Sequence, residues 1–273
     1  MIIVKIGGGA AINLDGVARD LAALPSPALV VHGANAARDA LAAALGRTKT
    51  VVTSVSGYDS VLSDDAAVEL LFMAYAGLRN KQVVEALQRA GVNAVGLSGI
   101  DGRVVQGRRT SGFRVRDGER VRIVRDRSGK PVSVNRELLA TLLAGGYTPV
   151  LTVPIADETG AAINSENDDV VALLQHSLGA EAVVQLIEAP GILRDRDDPG
   201  SLVTRLSAGE LSAWEETAVG RFRRKLHAIR RLIEAGAPWV VVADGRTEHP
   251  LADALRGAGT VISADPVRAA VGA

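Results

Sequence analysis

Two lysines, a carboxylate and two glycine turns hold the chemistry this chain can do. Lys5 lies in a short apolar strand pattern, residues 2–6, that runs straight into Gly7-Gly8-Gly9. Lysine is scarce here: of 31 Lys+Arg residues, only Lys5, Lys49, Lys81, Lys130 and Lys225 are lysines. Where arginine is the default cation, a lysine facing a glycine turn points to work that needs a compact, movable ammonium. Glycines let backbone N–H groups come close to an anion, although a plain strand-to-helix turn uses the same residues. A second turn, Val31-His32-Gly33-Ala34-Asn35, leaves a strand and opens a helix, where unpaired N–H groups and the helix dipole favour negative charge. A third segment, Ile163-Asn164-Ser165-Glu166-Asn167-Asp168-Asp169, is a polar run entering a helix, and a fourth, Gly220-Arg221-Phe222-Arg223-Arg224-Lys225, opens another.

Each segment also has a plainer use. His32 is a residue type that ends strands with a hydrogen bond, Asn164 and Asp168 are helix-capping types, and Arg221–Lys225 suits a solvated helix face. Taken together they suit phosphoryl transfer between two anions. That reaction needs positive charge and oriented N–H groups around the migrating group more than it needs a base. Competing signatures are missing: there is no Gly-x-x-x-x-Gly-Lys-Ser/Thr loop, no Gly-x-Gly-x-x-Gly fingerprint, and no His-Arg-Asp or Asp-Phe-Gly pair. Gly96-Leu97-Ser98-Gly99-Ile100 has the outline of a hydrolase elbow, but no partner histidine can be assigned to it.

The elements that must position these residues follow from the apolar pattern. Strands are expected at 2–6, 28–32, 93–97, 148–152, 182–187 and 239–243, and helices at 13–23, 35–45, 64–90, 135–145, 166–178 and 221–236. Such alternation specifies an α/β fold with a largely parallel sheet covered on both faces, and in such sheets ligands gather at the carboxyl ends of the strands. Residues 103–134 differ. Arg103-Val104-Val105, Phe113-Arg114-Val115 and Arg120–Val124 alternate around turns at Asp117-Gly118 and Ser128-Gly129-Lys130-Pro131, which reads as one or two inserted hairpins.

Composition narrows the class. A chain of 273 residues that is 47% hydrophobic can bury a large core. It has no cysteine, which excludes disulfides, thiol catalysis and cysteine-ligated zinc, and its four histidines are too scattered for a metal pair. The 31 acidic and 31 basic residues cancel, which disfavours a nucleic-acid surface. Neither a signal-peptide core nor a long apolar span is present, so a soluble cytoplasmic protein without membrane association is expected.

The residues bring a family into view. Lys5-Ile6-Gly7-Gly8, Val31-His32-Gly33, Gly77-Leu78-Arg79-Asn80-Lys81, Asn93-Ala94-Val95-Gly96-Leu97, Gly146-Tyr147-Thr148-Pro149-Val150, Asn164 with Asp168, Pro190-Gly191-Ile192-Leu193, Lys225 and Gly259-Thr260 occur in the order and spacing of a known set. In them the chain resembles the amino acid kinase family, and within it the acetylglutamate kinases, over nearly its whole length. Gly96–Arg103, Gly107-Arg108-Arg109, Gly220–Lys225 and Ala243-Asp244-Gly245-Arg246 are similar to the branch that phosphorylates α-aminoadipate or glutamate attached to an amino-group carrier protein, for lysine or arginine synthesis.

The resemblance implies an open three-layer αβα sandwich, with an acceptor-binding lobe over 1–165 and an ATP-binding lobe over 166–273. Lys5 and Lys225 would stabilise the transferring phosphoryl group and Asp168 would hold both lysines. Gly7 and Gly8 would meet phosphate, and Gly33, Ala34 and Asn35 would cradle the acceptor, with Asn164 bonding its α-substituents. Glu188 and Gly191 would lie on the nucleotide side. Magnesium would enter with ATP, with no metal site of the protein's own. The product is an acyl phosphate. N-acetyl-L-glutamate kinase activity and a nucleotide-binding paralogue with altered catalysis are the alternatives. A homodimer through the long helix is expected, and no N-terminal helix of the kind that builds arginine-inhibited hexamers is seen.

Two departures concern the acceptor. The second turn usually reads His-Gly-Gly, and here Ala34 stands in it. The family also carries an Arg-Leu/Val-Thr run whose arginine binds the acceptor's α-carboxylate; the matching run here is Val61-Leu62-Ser63. Losing such a partner typically costs about 2–4 kcal/mol of binding. Arg79, Arg108 and Arg109 are candidate substitutes, and Arg108-Arg109 beside the hairpins also suits an acidic carrier protein, or ordinary solvation.

Overall fold

Alternation along the first strand sets the layers. In β1 (Ile2–Ile6), Ile2, Val4 and Ile6 point to one face, while Ile3 and Lys5 point to the other. The first face is closed by α1 (Leu14–Ala22) and by the later helices Asn80–Arg89 and Pro250–Leu255, through Val17, Leu21, Val83, Leu87 and Leu251. The second face is closed mainly by Val170, Val171 and Leu174 of one helix and Leu226, Ile229 and Leu232 of another. Two apolar cores, one on each side of a sheet, make the three-layer αβα sandwich expected from the sequence.

The computed structural model describes residues 1–263 apart from 49, 54–58, 118–119, 196 and 219. The expected Asp117-Gly118 turn, Lys49 and residues 264–273 of the expected second lobe thus lie wholly or partly outside the described residues. The main sheet adds β2 (Ala28–His32), β3 (Ala94–Ser98), β4 (Thr148–Thr152), β5 (Ala182–Ile187), β6 (Arg205–Ser207), β7 (Trp239–Asp244) and β8 (Thr260–Ser263), in spatial order β6-β8-β7-β5-β1-β2-β4-β3. All run parallel except β6 and β8, since β8 pairs antiparallel with β7 and parallel with β6. The chain leaves β1 toward β2 and later returns to β5 on the opposite side of β1. The carboxyl end of β1 is therefore the topological switch point, where a crevice opens beyond the strands.

The remaining helices are α2 (Asn35–Ala44), α3 (Asp65–Leu70), α4 (Asn80–Arg89), α5 (Arg136–Ala144), α6 (Asn167–Leu178), α7 (Ala208–Thr217), α8 (Gly220–Glu234) and α9 (Pro250–Leu255). Their starts are chemically marked: the side chains of Asn13, Asp64 and Asn135 accept from Gly16, Ala67 and Leu138 N–H groups. The segment expected as one helix over 64–90 is helical throughout, but Leu71–Arg79 between α3 and α4 has π-helical winding. Two helices and two strands of the main sheet were not apparent in the sequence, α7, α9, β6 and β8, nor were the short strands Val51–Thr53, Asp59–Val61, Ile155–Ala156 and Ala162–Ile163 outside it. Each is short, and β6 and β8 have too few residues for an alternation to register.

The inserted region forms a second sheet in which Val105–Arg109 pairs with Gly129–Val134 and with Ile155–Ala156, itself joined to Ala162–Ile163. Phe113–Asp117 and Arg120–Val124 make a separate hairpin, within the one or two expected, but the turn expected at Ser128-Gly129-Lys130-Pro131 is instead largely strand, because Gly129–Val134 pairs with Val105–Arg109. Arg103, expected in a strand, instead ends a 3-10 turn over Asp101–Arg103, and Val104 follows it before the strand begins at Val105. The backbone N–H and hydroxyl of Ser98 both donate to Asp101 Oδ2, at 2.7 and 2.8 Å, and tighten that corner. The same contact accounts for the hydrolase-like motif, whose serine is committed to an aspartate. Among the described residues no helix is long and apolar enough to cross a membrane.

Candidate active site

Lys5 reaches the crevice because odd residues of β1 face α6 and α8. Its ammonium donates to Asp168 at the second position of α6. The first turn of a helix is electropositive, which favours the Asp168 carboxylate there. Lys225 comes from the opening turns of α8, which is seated on the sheet by Leu226 and Ile229 and tied to α6 by a bond from Arg231 to Asp169. Burial, together with the charge of neighbouring Lys5, brings the Lys225 ammonium down to about 8 against the opposing pull of Asp168. Two ammonium groups thus share one carboxylate in a poorly hydrated place. The local excess of positive charge is suited to an arriving anion.

The glycine turns are stacked against each other beside this cluster. Gly7 N–H donates to Leu186 O at 2.8 Å and Gly33 N–H to Ile6 O at 2.9 Å, which continues the sheet one residue beyond β1 and β2. A Cβ on Gly8 would meet Asn35 N at 2.6 Å and Ala34 N at 2.8 Å, and one on Gly33 would meet Gly8 N at 2.9 Å. Backbone nitrogens from both turns therefore converge on one spot that only glycine leaves open. Three buried polar atoms near it have no partner: Ser165 Oγ and Asn167 Oδ1, which flank the start of α6, and Gln185 Nε2. Gln185 is in register with Lys5 on the adjacent strand, so its side chain lies on the same face. Of these, Gln185 Nε2 and the Ser165 hydroxyl can donate and fit a phosphate-bearing ligand, whereas Asn167 Oδ1 only accepts.

Most residues expected from the sequence assemble here. Lys5, Asp168 and Lys225 form one cluster, and Gly7 and Gly8 meet Gly33, Ala34 and Asn35. Asn164 and Asp168 do not cap α6: its N-cap is Glu166, with no capping side-chain bond, and Asn164 Nδ2 donates to Ser63 Oγ at 3.0 Å. Glu188 folds back over the first turn, accepting from Ala11 N–H and filling the space a Cβ on Gly9 would need. Gly191 packs away from this cluster, where a Cβ would meet Leu202 and Thr260 at 2.7 Å. Of the basic run Arg221–Lys225, the side chains of Arg221, Phe222 and Arg224 lie outside the described residues.

The two departures resolve differently. Ala34 has φ −148° and ψ 33°, so it does not take the positive φ that would favour glycine, and its methyl is buried in the core. Val61 is 54% exposed on the short hairpin Val51–Thr53/Asp59–Val61 and supplies no cation. Arg79 is half-buried beside Glu188, with one guanidinium nitrogen unpartnered; Arg108 is exposed, and Arg109 stands 3.6 Å from Asp157. Arg127 is the better placed. Its N–H donates to Ser63 O and its carbonyl accepts from Asn164 N–H, while its guanidinium pairs with Asp65 at 2.7 Å.

Gln185, Ser63 and Arg127 were missed in the sequence. Gln185 had a signal, as the single polar residue of the strand Ala182–Ile187; the other two acquire meaning only from their neighbours.

Two lysines beside one carboxylate at the switch point, next to two closely packed glycine turns, suit a phosphotransferase. Residues 1–244 match the Amino acid kinase family, and the chain belongs to it. It is 40% identical over 267 residues to a [LysW]-aminoadipate kinase of Deinococcus radiodurans, covering 96% of this chain and 91% of that one. An acetylglutamate kinase of Methanopyrus kandleri is 31% identical over 264 residues, covering 96% and 100%. Among solved structures, an N-acetylglutamate synthase of Neisseria gonorrhoeae in complex with coenzyme A and N-acetyl-glutamate superposes with TM-score 0.76 at 25% identity. That match covers 97% of this chain and 59% of the longer one.

Proposed function

We propose that this kinase uses ATP to phosphorylate the side-chain carboxylate of an acidic amino acid whose α-amino group is blocked by attachment to a carrier protein. α-Aminoadipate is the leading acceptor and glutamate the second. The observation that carries the reading is the Lys5–Asp168–Lys225 cluster beside the two converging glycine turns. The 40% identity to a [LysW]-aminoadipate kinase supports the carrier-linked acceptor over free N-acetyl-L-glutamate, which is the alternative.

In this reading a carboxylate oxygen of the acceptor bonds to the γ-phosphorus as the bond to the β-phosphate oxygen breaks, and ADP leaves. The acceptor is ionised at neutral pH, so no residue is required as a base. Lys5 and Lys225 offset the charge of the migrating group, Asp168 keeps the two ammonium groups apart, and N–H groups around Gly8 and Ala34 orient the phosphoryl oxygens. Magnesium would enter with the nucleotide and neutralise its phosphates. Residues 1–165 serve the acceptor and residues 166–273 the nucleotide, with Glu188 and Gly191 on the nucleotide's side. Asn164 and Arg127 receive the α-substituents, Arg127 standing in for the cation that Val61 lacks.

Exposed Arg108, Arg109, Arg114 and Arg125 on and beside the inserted strands suit an acidic carrier. Exposed Phe72, Met73 and Leu78 on the π-helical segment suit a homodimer, and the location is cytoplasmic. ATP consumption with carrier-linked aminoadipate, carrier-linked glutamate and free N-acetyl-L-glutamate tests the reading. Turnover of a carrier-linked acceptor at the highest kcat/KM is expected. Nucleotide binding without turnover of any of the three would instead leave a non-catalytic paralogue.

A further inference from the structure

His32 ends β2 immediately before the second glycine turn, and it is completely buried, as is Asn80 at the start of α4. The imidazole has two polar contacts. Nδ1 lies 3.2 Å from the carbonyl oxygen of Gly33, and Nε2 lies 3.1 Å from Asn80 Nδ2. The Asn80 amide is itself oriented on both sides: its Nδ2 donates to Val150 O at 3.0 Å, and its Oδ1 accepts from Lys81 Nζ at 3.2 Å. Turning that amide over would set oxygen against the Val150 carbonyl and NH2 against the Lys81 ammonium, two repulsive contacts in place of two bonds. Asn80 therefore presents a donor to His32, Nε2 must accept, and the ring proton resides on Nδ1.

That proton has one destination, the Gly33 carbonyl. In a trans peptide the C=O and N–H groups point in opposite directions, so a bond that holds Gly33 O toward the buried ring turns the Ala34 N–H away from it. The Ala34 nitrogen lies beside the first glycine turn, 2.8 Å from where a Cβ of Gly8 would be. The strand end is held firmly as well, because Thr152 Oγ1 donates to His32 O at 3.0 Å.

We propose that His32, held in its Nδ1–H tautomer by Asn80, is a positioning residue that fixes the Gly33–Ala34 peptide with its N–H edge toward the first glycine turn. The inference rests on the phosphoryl-transfer reading, since that edge is one of the surfaces proposed to meet the migrating group. The ring is a hydrogen-bonded spacer and transfers no proton in the reaction. Burial, with the charges of Arg79 and Lys81, lowers its pKa to about 4, so it stays neutral through the physiological range; the Gly33 bond acts in the opposite direction.

Two measurements test this. Long-range 1H–15N spectra of the unliganded protein, with the His32 signals assigned by their loss in His32→Asn, should show a neutral ring protonated at Nδ1. A ring protonated at Nε2 overturns the proposal, whatever the acceptor proves to be. In kinetics, His32→Asn keeps an amide N–H near the Nδ1 position, whereas His32→Gln reaches toward Nε2 and offers Gly33 nothing. We expect His32→Asn to keep kcat within about 5-fold, and His32→Gln to lose about 10²-fold, as small displacements of a positioned group do, with KM for ATP little changed. Equal losses in the two variants, or losses that merely follow a fall in Tm, overturn the proposal. Absence of turnover in the parent enzyme would count against the kinase reading and leaves the spectral result standing on its own.

Discussion

The phosphoryl clamp and the acceptor end of the crevice are built from different kinds of structure. Lys5 is on a central strand paired on both sides, Asp168 is in the first turn of a twelve-residue helix, and Lys225 is on a fifteen-residue helix seated in the core. Asn164, Ser63 and Arg127 sit instead at the meeting of short strands and connecting segments, joined by single backbone and side-chain bonds. Asp126 staples that junction, accepting from Ser63 N–H at 2.8 Å and from Ser128 N–H at 2.9 Å. Strand register and helix packing hold a side chain through many contacts at once, whereas a junction of short segments can exchange a residue at small cost elsewhere. The resemblance to the family puts the lysines at its lysine positions and Val61 at an arginine position. On the proposed function, the chemistry would be anchored in the core and acceptor choice left to the periphery.

Substitutions can separate the two regions. The largest effect is expected from Lys225→Ala, which should lower kcat by about 10³-fold while KM for ATP changes little. Its charge is needed chiefly in the transition state. Equal losses in kcat and in ATP binding, read from single-turnover rates and equilibrium titration, would make Lys225 a nucleotide anchor only.

Next comes Asp168→Asn, expected to cost about 10²-fold in kcat because both lysines lose their organising partner. It also carries a pH signature. Lys225 is cationic below about 8 and neutral above, so kcat/KM of the parent should fall as pH rises through about 8. Asp168 is the neighbour that raises this pKa, so the alkaline limb should move to lower pH in Asp168→Asn. A limb that stays in place would show that Lys225 is not the group titrating.

The smallest effects belong to the acceptor end. Arg127→Ala should raise KM for the acceptor by about 10-fold with kcat nearly unchanged, as loss of a guanidinium–carboxylate contact does. An unchanged KM would remove Arg127 from the pocket. Acceptor kinetics that collapse in kcat instead would blur the distinction between the two regions.

Much of the scaffold was legible beforehand. The six long strands of the main sheet and most helices follow the apolar periodicity to within a residue or two, because each buries one continuous face against a core. Asn164 illustrates the opposite limit. Its residue type and its place before a helix equally describe a cap, and only the bond to Ser63, 101 residues away in sequence, separates the two uses. Glu188 is another such case: nothing in the chain tells that its carboxylate folds over Gly9.

By itself the sequence determined a parallel α/β sandwich, two glycine turns at strand ends, and scarce lysines at positions that suit phosphate. Strand periodicity, turn chemistry and residue type are local properties, so they survive without coordinates. The tertiary structure alone decided that Lys5 and Lys225, 220 residues apart, both lie close to Asp168, that the nitrogens of the two turns pack against Gly8, and that Ala34 avoids a positive φ. Those facts depend on which strands are neighbours and which faces their side chains take, and sheet order is set by the packing of the whole chain.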